Sequence, residues 1–404
     1  MPAYSGKFEY LNESGGVVQQ GPCQLNLDAG TCIVTPAGAT PLAFDLGDTD
    51  RLTPGDWDLR LSLYTGRAVV LKQFGAAFGG MRDALVAAWR DRTVQCLLLE
   101  DLAEVARYQG MANGAPAEIR IFKSNLAVLP LAGVALQWRL AEVDACEFDS
   151  AAYTILLRSG PEQLVLSKLG KKTGEAFAIL RQSIDAFHTR AAAALLDLFP
   201  FLNADALGSV QQAMPEGRSC PLPALAAIHA KIPDALRARA VDESLSPYFD
   251  ALRQRAAGPL FAGFKFTADV ENAEPGTDGQ ETPPPDAAPA APLFFWYFFP
   301  LARNIAAWEA TTGTGRATYF FRAAAPVGEA VARLTRALAL VNFRREPIYL
   351  PDTSLDQQPR FHRYAIGARK LPDLRALRTA FLGRAIHSTL EPWLTQVLSI
   401  TGEA

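Results

Sequence analysis

The sequence lacks the short motifs by which many metalloproteins and hydrolases are recognised. It contains no CxxC pair, no HExxH and no GxSxG, and its four histidines have no second ligand at metal-binding spacing. The cysteines are odd in number and sparse, which favours reduced thiols over a disulfide framework. They are Cys23, Cys32, Cys96, Cys146 and Cys220. We therefore expect no metal and no cofactor, and we assign no catalytic residue.

A long hydrophobic run and a strong excess of one charge are also missing. The 404 residues carry 39 basic and 42 acidic side chains, a net charge of −3, which implies no global attraction to nucleic acid or to an acidic membrane. The most apolar stretch, PLFFWYFFPLA at 292–302, is too short to span a bilayer and predicts a buried strand. The first residues, MPAYSGKFEYLNES, lack the apolar segment of a secretory signal. We expect a cytoplasmic protein without membrane insertion.

Two segments of the sequence resemble each other at a spacing of 95 residues. They are VVLKQFGAAFGGMRDAL at 69–85 and LVLSKLGKKTGEAFAIL at 164–180, and they align Gly75 with Gly170. Each predicts an apolar strand, a turn with glycine and then a helix. A phosphate-binding loop is the alternative, but it requires a glycine where the sequence has Val165. We interpret both glycines as turn residues.

The similarity extends upstream at nearly the same spacing, with a drift of one residue. The matching pairs are 28–38 with 123–133, 42–50 with 136–144, and 58–66 with 152–160. Each copy therefore predicts about six short strands of alternating pattern followed by one amphipathic helix. A period of this length is a small domain duplicated, since solenoid repeats are much shorter.

A run of antiparallel strands closed by one C-terminal helix resembles the pleckstrin-homology-like (PH-like) barrel, here as two copies over about residues 18–200. The resemblance implies a binding or scaffolding protein with a protein partner, because that superfold is mostly non-catalytic. Members that bind phosphoinositides carry clustered basic residues in their first hairpin. Here that turn holds Asp28 in one copy and Lys123 in the other, so lipid binding is not expected.

The predicted fold class is α+β, with two tandem antiparallel β-barrel (PH-like) domains, each capped by a C-terminal helix. A helical connector and a C-terminal α+β domain follow. Glu271–Pro292 is rich in proline, alanine and acid, which predicts a disordered loop between two strands. HRYAIGARK at 362–370 is interpreted as a strand, and LPDLRALRTAFLGRAIH at 371–387 as a helix. The predicted boundaries are 1–110 and 111–201 for the PH-like domains, 202–257 for the connector and 258–404 for the last domain.

Two groups of basic residues are candidate sites for an anion or a partner. Lys168, Lys171 and Lys172 precede the helix of the second copy, where the helix dipole also favours anions. In the last third of the chain, arginines interleave with aromatic residues in NFRREPIYLP and PRFHRYAIGARK. The candidates there are Arg344, Arg345, Arg360, His362 and Arg363.

The arginines allow two interpretations. Arginine forks bind phosphates and aromatic rings stack on bases, which would make a nucleic-acid surface. Alternatively, the arginines lie on exposed helix faces and pair with acids of the same chain. The acids considered are Glu329, Glu346, Asp352 and Asp373. The leading hypothesis is a non-catalytic binding or scaffolding protein, and the alternative is a nucleic-acid-associated protein. No motif argues for an enzyme, although a site in a domain cleft stays open.

Overall fold

The chain folds as an α+β protein built on three antiparallel sheets. It is described here from a computed structural model. The predicted disordered loop at 271–292 lies outside the described residues. These are residues 3–98, 102–131, 134–266, 293–311, 317–324 and 326–403.

The first sheet has seven strands among the described residues, in the order β4-β3-β2-β1-β7-β6-β5. Side chains alternate along the strands, so that Leu59 and Leu61 are buried and their neighbours are more exposed. Helix α1 closes the unit with Met81, Leu85 and Trp89 buried at helical spacing. The elements are β1 Tyr4–Leu11, β2 Val17–Asp28, β3 Thr31–Pro36, β4 Leu42–Asp45, β5 Thr49–Pro54, β6 Asp58–Leu63, β7 Ala68–Lys72 and α1 Phe78–Cys96.

The second sheet repeats this arrangement, with the order β11-β10-β9-β8-β14-β13-β12 and helix α2 at its end. The count of six strands per copy was one too low, because β1 and β8 lie upstream of the aligned segments. The second sheet begins at Glu104, so position 110/111 falls inside β8 rather than between units. The elements are β8 Glu104–Ala112, β9 Ala115–Phe122, β10 Asn125–Pro130, β11 Leu136–Arg139, β12 Ala145–Asp149, β13 Thr154–Ser159, β14 Glu162–Ser167 and α2 Thr173–Leu198.

The two units match even where the sequence spacing does not. Gly75 and Gly170 occupy equivalent turns of the two units, with φ of 54° and 65°, a conformation that glycine adopts without strain. Gly6 and Gly110 also correspond: a Cβ would lie 2.6 Å from the ring of Phe74 in one unit and 2.5 Å from the side chain of Leu169 in the other. This second pair is 104 residues apart because the first hairpin is longer in the first unit.

The connector is largely helical, as predicted, but it also contributes an edge strand to the third sheet. Strand β15 pairs with the first strand of the C-terminal region, so the connector and that region share one sheet. The connector elements are α3 Ala204–Ala213, β15 Ser219–Pro221, α4 Leu222–Ile228, α5 Ile232–Ala240 and α6 Ser246–Arg255.

The third sheet is covered on both faces. In the described residues its order is β15 to β20 in sequence, an antiparallel meander. The segment predicted as a buried strand is β17, with Trp296 packed on one side and Tyr297 on the other. The elements are β16 Phe261–Phe266, β17 Leu293–Leu301, β18 Ile305–Ala310, β19 Ala317–Arg322, β20 Phe381–Ile386, α7 Val327–Leu340, α8 Glu346–Tyr349, α9 Asp352–Gln357, α10 His362–Lys370, α11 Pro372–Ala380 and α12 Leu390–Thr401.

Two interpretations of the C-terminal region were wrong. The segment 362–370 is helix α10, not a strand; Tyr364 and Ile366 have strand-like spacing, but Ala365 between them and Gly367 after them are buried as well. The second half of 371–387 is strand β20, which pairs with β19. Tertiary pairing overrides the local helical pattern at that point.

A buried charged network joins the first two units. Glu118 on β9 accepts hydrogen bonds from Arg120 Nε at 2.6 Å, Gln109 Nε2 at 2.7 Å and Arg90 of α1 at 3.1 Å. Arg120 also pairs with Asp91 of α1 at 2.7 Å. Burial alone raises the pKa of Glu118, but the hydrogen bond and charge of Arg120, together with Arg90, hold this pKa below its ordinary value. The network attaches α1 of the first unit to the sheet of the second.

Replacing Glu118 by glutamine should destabilise the protein by about 3 kcal/mol, because two arginines lose their buried counter-charge. Urea unfolding at pH 7 measures this. Glu147→Gln is the control, since among the described residues Glu147 pairs only with the exposed Arg158, and it should cost less than about 0.5 kcal/mol. The stabilisation by Glu118 is complete above the unfolded pKa, so the difference from wild type should close as the pH falls below about 4. Equal urea midpoints for Glu118→Gln and Glu147→Gln at pH 7 would show that the buried network does not stabilise the fold.

All five cysteines are free and buried. Burial raises the pKa of Cys23, Cys96, Cys146 and Cys220 to about 11 and that of Cys32 further. Because the thiolate is the reactive form, the native protein should not react with a thiol-specific disulfide reagent at pH 8. After unfolding in guanidinium, five thiols should react. A thiol that reacts rapidly in the native protein would contradict this assignment.

Candidate functional site

The three lysines predicted as a site lie together on the surface of the second unit. Lys168, Lys171 and Lys172 are exposed in the turn between β14 and α2, and none makes an ion pair with the described residues. The corresponding positions in the first unit are Gln73, Ala76 and Ala77. The positive charge is therefore a property of the second copy and not of the repeated turn.

The five C-terminal candidate residues do not lie together in one cluster. Arg344 and Arg345 are half-buried between α7 and α8, whereas Arg360 lies over the ring of Phe361 with its guanidinium carbon 4.5 Å from the centroid. Two further candidates lie at the start of α10. Arg363 donates to the Tyr364 hydroxyl at 2.9 Å, and His362 lies 3.9 Å from both Asp45 and Asp356. Arg360, His362 and Arg363 thus lie against aromatic rings or acids of the same chain.

Other arginines of the region also bind within the protein. Arg369 lies between Asp48 at 2.8 Å and Asp356 at 3.0 Å. Arg378 pairs with Asp352 at 2.5 Å, an acid considered from the sequence, and donates to the Leu350 carbonyl at 2.8 Å. These contacts correspond to the interpretation in which the arginines pair internally.

A more organised feature lies where each β-sheet ends beside its helix. The end strands β5 and β12 are paired on one side only in the part of the chain described, by β6 and β13 respectively. In each unit the helix also contacts a backbone carbonyl, that of Thr49 in β5 or that of Val143, two residues before β12. Trp89 Nε1 of α1 donates to Thr49 O at 3.3 Å, and His188 Nε2 of α2 lies 3.0 Å from Val143 O. The two units therefore contain corresponding grooves between an edge strand and a helix.

In the first unit the start of the groove, at Asp50 and Arg51 of β5, faces the C-terminal region. A cavity of about 340 Å³ separates β5 and α1 from the junction of α10 and α11. Its lining includes Asp50 and Thr93 from the first unit, and Lys370, Pro372 and Arg375 from the opposite wall. The chain thus already places its own polypeptide against this groove.

In the second unit the start of the groove is also covered, here by the connector. Asp144 and His188, the counterparts of Asp50 and Thr93, line a cavity of about 660 Å³ with the connector, and Arg218 reaches Asp144 at 3.1 Å. Further along, Phe148 of β12 stacks on Phe177 of α2, with ring centroids 5.4 Å apart and both rings half-buried. Strand β12 thereby presents an unpaired edge next to a partly exposed aromatic pair.

Phe177 lies in the helix predicted within 164–180, but no sequence pattern singled out Phe148, Lys370 or the groove. Which strands end a sheet depends on pairing between distant segments. The groove is therefore visible only in the folded chain.

No protein-family model and no curated protein matches this chain. The helices of the described residues include none with the length and apolar character needed to cross a membrane. Across the same residues, no group of three or more histidine, cysteine or acidic side chains is placed to hold a metal ion.

Because most of the C-terminal arginines described above contact rings, a carbonyl or acids of the same chain, the protein should not retain DNA or RNA. Fluorescence anisotropy with labelled single- and double-stranded oligonucleotides, from about 50 to 200 mM salt, measures this. Salt-sensitive binding that Arg344→Gln with Arg345→Gln weakens, and that Lys171→Gln leaves unchanged, would instead support the nucleic-acid hypothesis.

Proposed function

We propose that this chain is a non-catalytic binding protein in which two PH-like domains and a C-terminal α+β domain form a scaffold for a protein partner. Seven antiparallel strands followed by one helix, present in both copies, support the PH-like assignment. The first copy serves an internal role, since its groove faces α10 and α11. The second copy serves the partner.

One observation carries this proposal: the same groove occurs twice, the chain itself covers its start in both units, and in the second unit the unpaired edge of β12 continues beside a partly exposed aromatic pair. An exposed edge offers a row of backbone donors and acceptors to an extended peptide. Such a peptide would add to the second sheet as a strand beside β12. The edge alone supplies affinity for a backbone and little selectivity for sequence.

Selectivity would come from the aromatic pair beside the edge. Phe148 and Phe177 are half-buried and stacked, so one apolar side chain of the peptide can cover them and remove their remaining surface from water. Arg181 and Asp185 follow on the same helix as an exposed ion pair at 2.9 Å. We therefore expect an extended peptide with a large apolar residue flanked by polar residues.

Selection of linear peptides from a random library against the full chain tests this proposal. Selected peptides should bind with micromolar affinity, and Phe177→Ala should weaken them at least tenfold, about 1.4 kcal/mol. Trp57→Ala is the matched control, because Trp57 is a 72% exposed aromatic residue on the first unit; it should leave affinity unchanged. Hydrogen exchange should show new protection of the β12 amides in the complex.

Circular dichroism and the melting temperature establish that Phe177→Ala is folded. If the peptides bind folded Phe177→Ala as tightly as wild type and the β12 amides gain no protection, the groove of the second unit is not the binding site. If the amides of the lysine turn at 168–172 gain protection from hydrogen exchange instead, the partner binds at that turn.

A further inference from the structure

A polar cleft lies between the first unit and the C-terminal helices. The cavity of about 340 Å³ beside β5 and a second one of about 680 Å³ share Tyr64 and Arg375 as lining residues, so they adjoin. The first is bounded by the β5 edge and by Trp89 of α1, the second by α9, α10 and α11. Their sizes are those of pockets that hold small organic ligands.

The lining of the cleft contains more positively charged side chains than carboxylates that could pair with them. Two of its arginines, Arg369 and Arg378, are held in ion pairs with acids. Three other cations in the lining, Arg51, Lys370 and Arg375, have no ion pair with any described residue. The remaining lining acid is Asp50; burial and the nearby carboxylate of Asp50 raise the pKa of the Tyr64 phenol. Three unpaired cations thus face one unpaired carboxylate.

Lys370 is the most unusual of these groups. It is only 8% exposed, and its Nζ donates to the Thr93 hydroxyl at 3.1 Å and lies 5.7 Å from the centroid of the Trp89 ring. Burial lowers the pKa of the ammonium, and the surrounding carboxylates act in the opposite direction. A buried ammonium without an anionic partner is costly, and a bound anion removes that cost.

We propose that this cleft binds a small organic phosphate, with the phosphate between Lys370, Arg375 and Arg51 and the organic part against Trp89 and Tyr64. A phosphate monoester carries a charge of about −1.5 to −2 at pH 7, which matches the excess of two unpaired positive charges. Arginine and lysine donors suit its oxygen atoms. A rigid nucleic acid does not suit the site, because Lys370 is enclosed between two parts of the chain.

The position of the cleft gives binding a structural consequence. The ligand would contact β5 and α1 on one side and the α10–α11 junction on the other, so binding would stabilise the docking of the C-terminal helices on the first unit. A ligand that binds only the native arrangement raises the melting temperature as its concentration rises.

Thermal shift and isothermal titration calorimetry of the full chain test the proposal. The probes are inorganic phosphate, a sugar phosphate and a nucleoside monophosphate, with the unphosphorylated sugar and nucleoside for comparison. At least one phosphate ester should bind with a Kd below about 1 mM, and its unphosphorylated counterpart should not bind at about 10 mM. Lys370→Met and Arg375→Gln should each weaken binding at least tenfold.

Lys171→Gln is the matched control, because it removes one exposed positive charge outside the cleft and should leave the affinity unchanged. Arg375 is exposed, so its variant keeps the test valid if Lys370→Met does not fold. Absence of binding by every phosphate at about 10 mM, or full affinity in both cleft variants, would overturn the site. Inorganic phosphate binding as tightly as the esters would overturn the assignment to an organic phosphate.

Discussion

The arrangement of the three sheets depends on helix α1, which is packed on three sides. Its apolar stripe closes the first sheet, and Arg90 reaches the buried carboxylate of Glu118 in the second. Its last turns contact α10, where Gly367 allows close approach: a Cβ there would lie 2.9 Å from the Leu98 side chain. Buried charged groups need their partners, so the Arg90–Glu118 contact fixes the second unit against α1. The close approach at Gly367 fixes α10 against the end of the same helix.

This packing explains why two similar units have different surroundings. The groove beside α1 meets the C-terminal helices, and the resulting cleft contains the buried Lys370. The groove beside α2 meets the connector at its start, and Phe148 and Phe177 lie further along it. The two units contain corresponding grooves, and different later segments of the chain pack against the start of each.

The sequence indicated much of the first half of the fold. Glycines at the turns, alternating strands and the helix stripes are local signals, and they led to the α+β class and to two copies of strands followed by a helix. The first strand of each copy was missed because the longer first hairpin changes the spacing from 95 to 104 residues. In the C-terminal region, the local pattern of 362–370 resembled a strand because Tyr364 and Ile366 alternate, although the segment is a helix buried over several faces.

The candidate sites also differ in whether local sequence or tertiary packing places their residues. The lysines at 168–172 lie where the sequence placed them, because a turn before a helix is specified by neighbouring residues. The cleft joins Arg51 and Tyr64 to Lys370 and Arg375, residues about 300 positions apart, and no spacing rule relates them. The sequence by itself determined the repeated unit, since turns and periodicity act over a few residues. Only the tertiary structure decided which strand edge stays unpaired and which cations remain without an acid, because both depend on packing between distant segments.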